Sequence, residues 1–206
     1  MQDEPTVYIV DDDPLVRDSV RVLVRSLGLK AETFASAEEF LDHYNPLWAG
    51  CLVTDLRMLG MSGMELQENL AANGIAIPVI IITAHAETPL TVKAVKMGAV
   101  TVLEKPCCDD ELRDAIRDAI SLDARTRSEV AAQQNFHERL ASLSEQEQAV
   151  LAYMIDGVAN KVTARRLGVS IRTVENRRQR IFEKTGTKSL AELIRLVVES
   201  RSHTAS

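Results

Sequence analysis

The sequence predicts two folded units: an α/β domain built around a doubly wound, five-stranded parallel sheet, and a smaller all-α domain of four helices. Short apolar or β-branched runs alternate with helical patterns over the first half of the chain, which is typical of βα units around a parallel sheet. From Leu143 onwards every local signal is helical. With 206 residues, of which 46% are hydrophobic and 26% are charged, the chain is long enough to bury two cores.

Five apolar or β-branched runs mark the predicted strands. They are TVYIV (6–10), AETF (31–34), CLVTD (51–55), VIIIT (79–83) and VTVLE (100–104). The segments between them have helical patterns, so the chain is expected to cross over from one parallel strand to the next through helices.

These helices have clear starts and ends. Asp13 followed by Pro14 fits an N-cap with proline in the first turn. SAEE (36–39) and SGME (62–65) are capping-box patterns. Glycines stand where three of the helices should end, at Gly28, Gly74 and Gly98.

A fifth helix is predicted to begin near Asp109 and to continue into a charged linker, because the segment has neither proline nor glycine and is rich in Ala, Arg, Glu and Asp. Its apolar stripe is clear at Leu112, Ile116 and Ile120 and fades after Leu122. The thin seam leaves two alternatives open: a solvated helical linker, or a helix that pairs with a second copy.

The second domain is predicted to contain four short helices and no strand. SEQE (144–147) and SLAE (189–192) are capping boxes, and Ser170 caps a helix after Gly168. NKVTARRLGVS followed by IRTVENRRQRIFEK has the layout of a helix-turn-helix. The predicted divisions are a first domain at 1–122, a linker at 123–142, a second domain at 143–201 and a tail at 202–206.

The two domains differ in charge. Residues 1–142 carry 13 Lys+Arg and 23 Asp+Glu, whereas residues 143–206 carry 11 and 7. An acidic domain joined to a basic one indicates a different partner for each.

The sequence also favours a cytoplasmic protein with no membrane partner. The longest apolar run, IAIPVIIITA, is about half the roughly 20 residues of a membrane span, and Pro78 interrupts it. Asp3 and Glu4 stand where a secretory or transit peptide would be basic. The cysteines have no metal-binding spacing and are expected to be reduced, packed thiols: Cys51, Cys107 and Cys108.

Polar side chains follow four of the predicted strands, at the edge where parallel α/β sheets bind ligands. They are Asp11 and Asp12 after the first strand, Asp55 at the end of the third, Thr83 at the end of the fourth and Lys105 after the fifth. Three converging carboxylates form a hard oxygen site suited to Mg²⁺. The alternative is a set of unrelated polar residues at strand ends.

The same residues could carry phosphoryl chemistry. Asp55 can act as a nucleophile toward phosphorus if a cation screens its charge, and Lys105 and the Thr83 hydroxyl can bind the phosphoryl oxygens. The product would be an aspartyl phosphate. Capping of the first helix explains Asp13 without a metal role.

The segments IVDDD, LVTDLRM, IITA and LEKP resemble the receiver domain of two-component response regulators, over about residues 5 to 122. The resemblance implies a flavodoxin-like sheet of strand order 2-1-3-4-5. It also implies that Asp55 accepts phosphate from a sensor histidine kinase, and that Thr83 and Lys105 respond to the phosphate. Mg²⁺ or Mn²⁺ would be held by Asp12, Asp55, the backbone carbonyl of Arg57 and, through water, Asp11.

The chain departs from the receiver pattern at three positions. Val102 stands where receivers usually carry an aromatic switch residue, Leu59 replaces a common proline, and Cys107 replaces a common phenylalanine. These changes keep the acceptor chemistry and put the aromatic form of the switch in question. His85, two residues after Thr83, either gates the site or has no role.

The helix predicted from SIRTVENRRQRIFEK has a packed side with Val174, Ile181 and Thr185. Its opposite face is polar and could contact base edges in a major groove, through Arg172, Glu175, Asn176, Gln179 and Glu183. Further residues would contact the DNA backbone: Lys161, Arg177, Arg178, Arg180, Lys184 and Lys188. Thr173 is expected to contact DNA as well. The alternative is a solvated basic helix on a small bundle.

Residues 143 to 198 are similar to the LuxR-type helix-turn-helix domain, so the whole chain resembles response regulators of the FixJ/NarL class. Three departures are Thr163 for isoleucine, Arg177 for histidine and Thr185 for leucine; the threonines should thin the core and lower its stability. In such families the last helix pairs across a two-fold axis, so three of its residues are interface or core: Leu193, Leu196 and Val197.

The expected function is control of transcription by phosphorylation. Phosphorylated Asp55 would drive dimerisation, and two basic domains would then bind double-stranded DNA; the resemblance also allows RNA polymerase as a partner. Two rivals remain at this stage. One is a magnesium-dependent phosphatase or phosphotransferase, and the other is a constitutive DNA-binding protein whose receiver is only a scaffold.

Overall fold

We analysed a computed structural model of the chain, which describes residues 4–84 and 88–202. The chain divides into two compact units, Met1–Arg127 and Ser128–Ser206. The first therefore extends five residues beyond the predicted domain end at 122.

The first unit is an α/β domain with a five-stranded parallel sheet of order β2-β1-β3-β4-β5. The predicted fold class and strand order are confirmed. The strands are β1 Thr6–Val10, β2 Lys30–Phe34, β3 Gly50–Asp55, β4 Val79–Thr83 and β5 Thr101–Glu104. The first helices are α1 Pro14–Ser26, α2 Ala37–His43, α3 Gly63–Ala72 and α4 Thr88–Lys96.

Side chains of the strands form a core on each face of the sheet, because successive residues of a strand point to opposite faces. One core contains Tyr8 and Val10 with Leu66 of α3, and the other contains Val7 and Ile9 with residues of α1 and of the helix that begins at Asp109. The sheet is thus covered on both faces, as a parallel sheet requires.

Helix α5 is a single helix, Asp109–Ala141. The predicted stripe packs on the sheet, with Leu112 and Ile116 buried. Two residues of the predicted linker are also buried, Asp123 in the first unit and Phe136 in the second. The charged pattern did not single them out.

In the described part of the second unit, up to residue 202, four further helices follow the end of α5. They are α6 Glu145–Ile155, α7 Asn160–Leu167, α8 Ile171–Thr185 and α9 Leu190–Ser202. Their shared core includes Val150, Val174 and Ile181, together with Leu193 and Val197 of α9. Leu196 is partly buried against this core.

The helix N-caps agree in part with those predicted from the sequence. The Asp13 carboxylate accepts from Leu15 N–H, and complete capping boxes form at Ser62 and Ser144. The boxes predicted from SAEE and SLAE are closed differently. There the glutamate reaches the N–H of the residue before the serine, as Glu39 accepts from Ala35 and Glu192 accepts from Lys188.

The three cysteines are free thiols, but they are not equally packed. Burial, helped by the nearby Asp123 charge, raises the pKa of Cys51 to about 12. Cys108 is exposed, contrary to the prediction, because it directly precedes α5, where its Sγ accepts from Glu111 N–H at 3.4 Å. No helix in the described ranges is both long and apolar enough to span a bilayer.

Candidate functional site

The three predicted carboxylates meet at the carboxyl edge of the sheet. Asp11, Asp12 and Asp55 each place a carboxylate oxygen within 4.8 Å of the others. The strand order explains this, because β1 and β3 are neighbours and run in the same direction. Adjacent parallel strands bring residues at their carboxyl ends together.

Lys105 completes the cluster from the loop after β5. Its Nζ donates to Asp11 Oδ2 at 2.8 Å and to Asp55 Oδ2 at 3.1 Å. Burial opposes the ammonium charge, but hydrogen bonds and the charges of Asp11 and Asp55 outweigh it and raise the pKa of Lys105. The lysine therefore stays protonated and neutralises part of the acidic charge.

Backbone groups orient each carboxylate. Asp11 Oδ1 accepts from Asp13 N–H at 2.8 Å, and Asp12 Oδ2 accepts from Leu59 N–H at 3.1 Å. Asp55 Oδ1 accepts a longer bond from Arg57 N–H at 3.4 Å. Loops after β1 and β3 thus place the three carboxylates as a set.

Gly63 lets helix α3 start directly beside Asp55. A Cβ added at this glycine would lie 2.2 Å from the Asp55 carbonyl oxygen and 3.2 Å from Thr54 Cγ2. Any larger residue would displace the backbone of the predicted phosphoacceptor. The sequence pattern had marked Gly63 only as part of a capping box.

The remaining predicted receiver residues lie around this edge. Thr83 is buried at the end of β4, and its carbonyl oxygen accepts from Lys105 N–H at 2.8 Å. Val102 is half-buried against the same core as Leu90. Leu59 is 82% exposed. The predicted gating residue, His85, lies outside the residues that the structure describes.

The predicted DNA-contacting helix, α8, has the expected two faces. Val174, Ile181 and Thr185 are buried, which confirms the packed side. The predicted base-contacting residues all lie on the solvent side: Arg172, Glu175, Asn176, Gln179 and Glu183. Among the predicted backbone contacts, Lys161, Arg180, Lys184 and Lys188 are exposed and Arg177 and Arg178 are half-buried. Thr173, also predicted to contact DNA, is half-buried.

Two of the predicted contact residues have partners within the helical unit. Lys184 Nζ lies 2.7 Å from Glu147 Oε2, whose side chain is only 6% exposed. Arg177 Nη2 donates to Gln146 Oε1 at 2.6 Å. Hydrogen bonds from Lys184 and from the Ser144 backbone lower the pKa of Glu147 to about 2. Lys184 therefore has a structural partner besides its predicted contact with DNA.

The threonines that depart from the LuxR-type pattern are buried with bonded hydroxyls. Thr163 Oγ1 donates to Ala159 O at 3.3 Å, and Thr185 Oγ1 donates to Ile181 O at 2.7 Å. Thr185 also shares a 2.9 Å hydrogen bond with the buried Thr187 hydroxyl. The predicted loss of stability is therefore offset in part by hydrogen bonding.

Comparison with known proteins assigns a family to each of the two units. The response regulator receiver domain family matches residues 7–117, and the family described as bacterial regulatory proteins, luxR family, matches residues 141–197. The transcriptional regulatory protein FixJ of Azorhizobium caulinodans is 40% identical over 198 residues, which is 96% of this chain and 94% of that protein. The chain belongs to the response regulator family.

Further relatives support this assignment. The response regulator protein TodT of Pseudomonas putida is 41% identical over 190 residues, covering 92% of this chain and 84% of that protein. A solved structure of the response regulator StyR is 44% identical, with a TM-score of 0.84, and covers 95% of this chain and 99% of that chain.

As a response regulator with a LuxR-type domain, the protein is a transcription factor of a two-component system rather than an ordinary enzyme. The receiver domain implies a histidine kinase as partner, and the LuxR-type domain implies binding to DNA. Receiver domains bind Mg²⁺ in an acidic pocket, and the cluster of Asp11, Asp12 and Asp55 fits such an ion because its donors are hard carboxylate oxygens.

Proposed function

We propose that Asp55 accepts a phosphoryl group from a sensor histidine kinase and that the phosphorylated protein dimerises and binds specific DNA sites in the cytoplasm. The observation that carries this proposal is the contact of Lys105 Nζ with both Asp11 and Asp55, within a cluster of three carboxylates. Three neighbouring carboxylates repel one another, and one ammonium compensates only part of their charge, so the site favours a further cation.

The charges of the site favour phosphoryl transfer. Three carboxylates and one ammonium leave about two negative charges, so a divalent cation makes the site close to neutral. Mg²⁺ or Mn²⁺ would be held by Asp12, Asp55 and the Arg57 carbonyl, with Asp11 acting through water. The bound ion supplies charge screening for the phosphoryl oxygens.

The protein's own residues would then carry out the transfer. A carboxylate oxygen of Asp55 forms the new bond to phosphorus as the bond to the donor histidine nitrogen breaks. Lys105, already 3.1 Å from Asp55, moves its ammonium to a phosphoryl oxygen. Asp13 would take no part in the transfer, because its carboxylate accepts the N–H of Leu15 and caps α1.

The switch would work without an aromatic side chain. Thr83 and Lys105 share a backbone hydrogen bond, so a movement of Thr83 toward phosphate also moves the start of the β5–α5 loop. Val102 and Leu90 pack against the same core on one face of the sheet. Val92 and Val95 of α4 are about half exposed and offer an apolar surface for the phosphorylated dimer.

DNA binding would use helix α8. Its exposed polar face, from Arg172 to Glu183, supplies donors and acceptors for base edges. Backbone contacts would come from the exposed Lys161, Arg180, Lys184 and Lys188 and from the half-buried Arg177 and Arg178. The half-buried Thr173 would contact DNA as well. Two such domains in a dimer would bind two half-sites.

Labelling with a phosphodonor tests the acceptor. Wild-type protein incubated with acetyl phosphate and Mg²⁺ should gain one phosphoryl group by mass spectrometry. Asp55→Asn should gain none, whereas Asp13→Asn, which keeps a capping side chain, should be labelled like wild type. Labelling of Asp55→Asn would refute the assignment.

Selection of bound DNA fragments tests the output. The protein should enrich specific sequences, and beryllofluoride, which mimics the phosphoryl group, should increase their affinity several-fold, in line with usual allosteric coupling. Equal affinity with and without beryllofluoride would support the constitutive alternative, in which the receiver serves only as a scaffold.

A further inference from the structure

The first turn of the predicted linker lies outside both family matches and makes a set of contacts with the receiver. The receiver match ends at residue 117 and the LuxR-type match starts at residue 141. The first compact unit nevertheless extends to Arg127. Two residues of helix α5 beyond the receiver match, Asp123 and Arg127, hold it to this unit.

Asp123 is a buried carboxylate with a full set of partners. It is 3% exposed, and its Oδ2 accepts from Gly50 N–H at 2.9 Å. Both of its oxygens also accept from Nε of Arg127, one turn further along the helix, at 2.9 Å. A buried carboxylate is costly unless it is paired and hydrogen-bonded, so both partners are required.

Arg127 extends the contact to the loop before β3. Its Nη1 donates to Pro46 O at 3.2 Å and to Leu47 O at 3.1 Å, and its Nη2 donates to Trp48 O. A guanidinium can serve three carbonyls and a carboxylate at once because its donors form a planar fork. A lysine ammonium cannot reproduce this pattern.

Gly50 connects these contacts to the phosphoacceptor strand. It is the first residue of β3, and a Cβ there would lie 1.8 Å from Thr6 O, so the strand start lies directly against the backbone of β1 and has no room for a side chain. Asp55 is the last residue of the same strand. Asp123 therefore holds one end of the strand whose other end is the predicted phosphorylation site.

We propose that Asp123 and Arg127 form a clamp that joins the first turns of the linker helix to the receiver and couples the state of Asp55 to DNA binding. They act as positioning residues. The closed clamp keeps the helix segment up to Arg127 attached to the receiver, so this segment moves when the receiver changes conformation. With the clamp open, Asp55 is still phosphorylated, but the affinity for DNA no longer depends on phosphorylation. This inference rests on the proposed function, because it assumes control of DNA binding by phosphorylation.

The test uses the full-length variant Arg127→Ala, with Arg125→Ala as matched control. Arg125 is an exposed arginine half a turn away on the same helix. Amide exchange by mass spectrometry should be about tenfold faster over residues 120–130 in Arg127→Ala, since local opening exposes those amides. Labelling of Asp55 by acetyl phosphate should stay at the wild-type rate. Arg125→Ala should match wild type in both.

The deciding measurement is the ratio of DNA affinities with and without beryllofluoride. In Arg127→Ala the ratio should fall close to one, and Arg127→Lys should fall with it because the fork is lost. A wild-type ratio in Arg127→Ala, or unchanged amide exchange, overturns the clamp. If wild type itself shows a ratio of one, the proposed function fails instead, and the exchange data alone then decide whether the clamp exists.

Discussion

Lys105 and Asp55 form an ion pair across the carboxyl edge of the sheet, with Nζ 3.1 Å from Oδ2, although β4 lies between their strands. The lysine side chain is 21% exposed and the aspartate 14%, so water screens the pair only in part. The ammonium thus lies beside two of the three carboxylates that are proposed to hold a divalent cation.

Removing this ammonium should strengthen cation binding. We expect Lys105→Met to bind Mg²⁺ roughly tenfold more tightly than wild type, which corresponds to about 1.4 kcal/mol, because one competing positive charge is gone. Isothermal titration calorimetry measures the difference. The control is Lys30→Met, which removes an exposed lysine paired with Glu4 and should leave the affinity unchanged. Equal affinities in all three proteins would contradict the proposed cation site.

Gly63 is predicted to be required at the start of α3. Alanine there would place Cβ 2.2 Å from Asp55 O, so we expect Gly63→Ala to lower the free energy of unfolding by about 1–3 kcal/mol and to slow labelling of Asp55 several-fold. Urea unfolding and acetyl phosphate labelling measure the two effects.

Gly74→Ala is the control for Gly63→Ala. A Cβ at Gly74 would meet no atom within 4 Å, so an alanine there would be strained only by the backbone φ of +68°. It should cost about 1–2 kcal/mol without changing the labelling rate. If both variants slowed labelling equally, proximity of Gly63 to Asp55 would not be the cause.

Glu147 should give the LuxR-type domain a pH-dependent stability. Its pKa in the folded protein is about 2, below its ordinary value of 4.5. The charged form is therefore favoured by folding, and this stabilisation is complete above about pH 4.5 and lost as the pH falls toward 2. Glu147→Gln should have a lower melting temperature than wild type at pH 7, and this gap in melting temperature should narrow as the pH drops below 4.5.

Thermal unfolding followed by circular dichroism at several pH values measures that gap. Glu145→Gln is the matched control, because Glu145 is an exposed residue in the first turn of the same helix. It should show a smaller gap with no such narrowing. A gap between Glu147→Gln and wild type that stayed constant from pH 7 to pH 3 would exclude the ion pair with Lys184 as its source.

The two buried threonines should respond differently to valine. The Thr163 hydroxyl donates to the carbonyl of Ala159, the N-cap of α7, and Ala159 O also accepts from Thr163 N–H, so Thr163→Val should change stability by less than about 0.5 kcal/mol. Thr185→Val deprives the buried Thr187 hydroxyl of its partner and should cost about 1–3 kcal/mol. Urea denaturation of both variants provides the comparison, and equal losses would argue against the hydroxyl pair.

The sheet and the acidic cluster could be predicted because their signals are local. Each strand is a short apolar run, and parallel strands bring their carboxyl ends to one edge whatever the lengths of the helices between them. Asp11, Asp55 and Lys105 therefore came together without any knowledge of loop geometry.

The clamp and the buried ion pair could not be predicted in this way. Asp123 bonds Gly50, 73 residues earlier, and Glu147 bonds Lys184, 37 residues later. In sequence, each is one more charged residue on an amphipathic helix, where a solvated side chain is the usual outcome. Only the packing of distant elements turns them into buried, paired groups.

Gln179 is expected to contribute to the choice of DNA sequence. Its Nε2 donates to Glu183 Oε1 at 2.9 Å on the exposed face of α8, so both side chains must exchange this bond for base edges on binding. Gln179→Ala should lose about 1–3 kcal/mol of discrimination between the preferred site and a single-base variant, measured by fluorescence anisotropy. Arg178→Ala is the control, since a lost phosphate contact should weaken both sites equally and lower the salt dependence. Unchanged discrimination in Gln179→Ala would remove this residue from the base-contacting set.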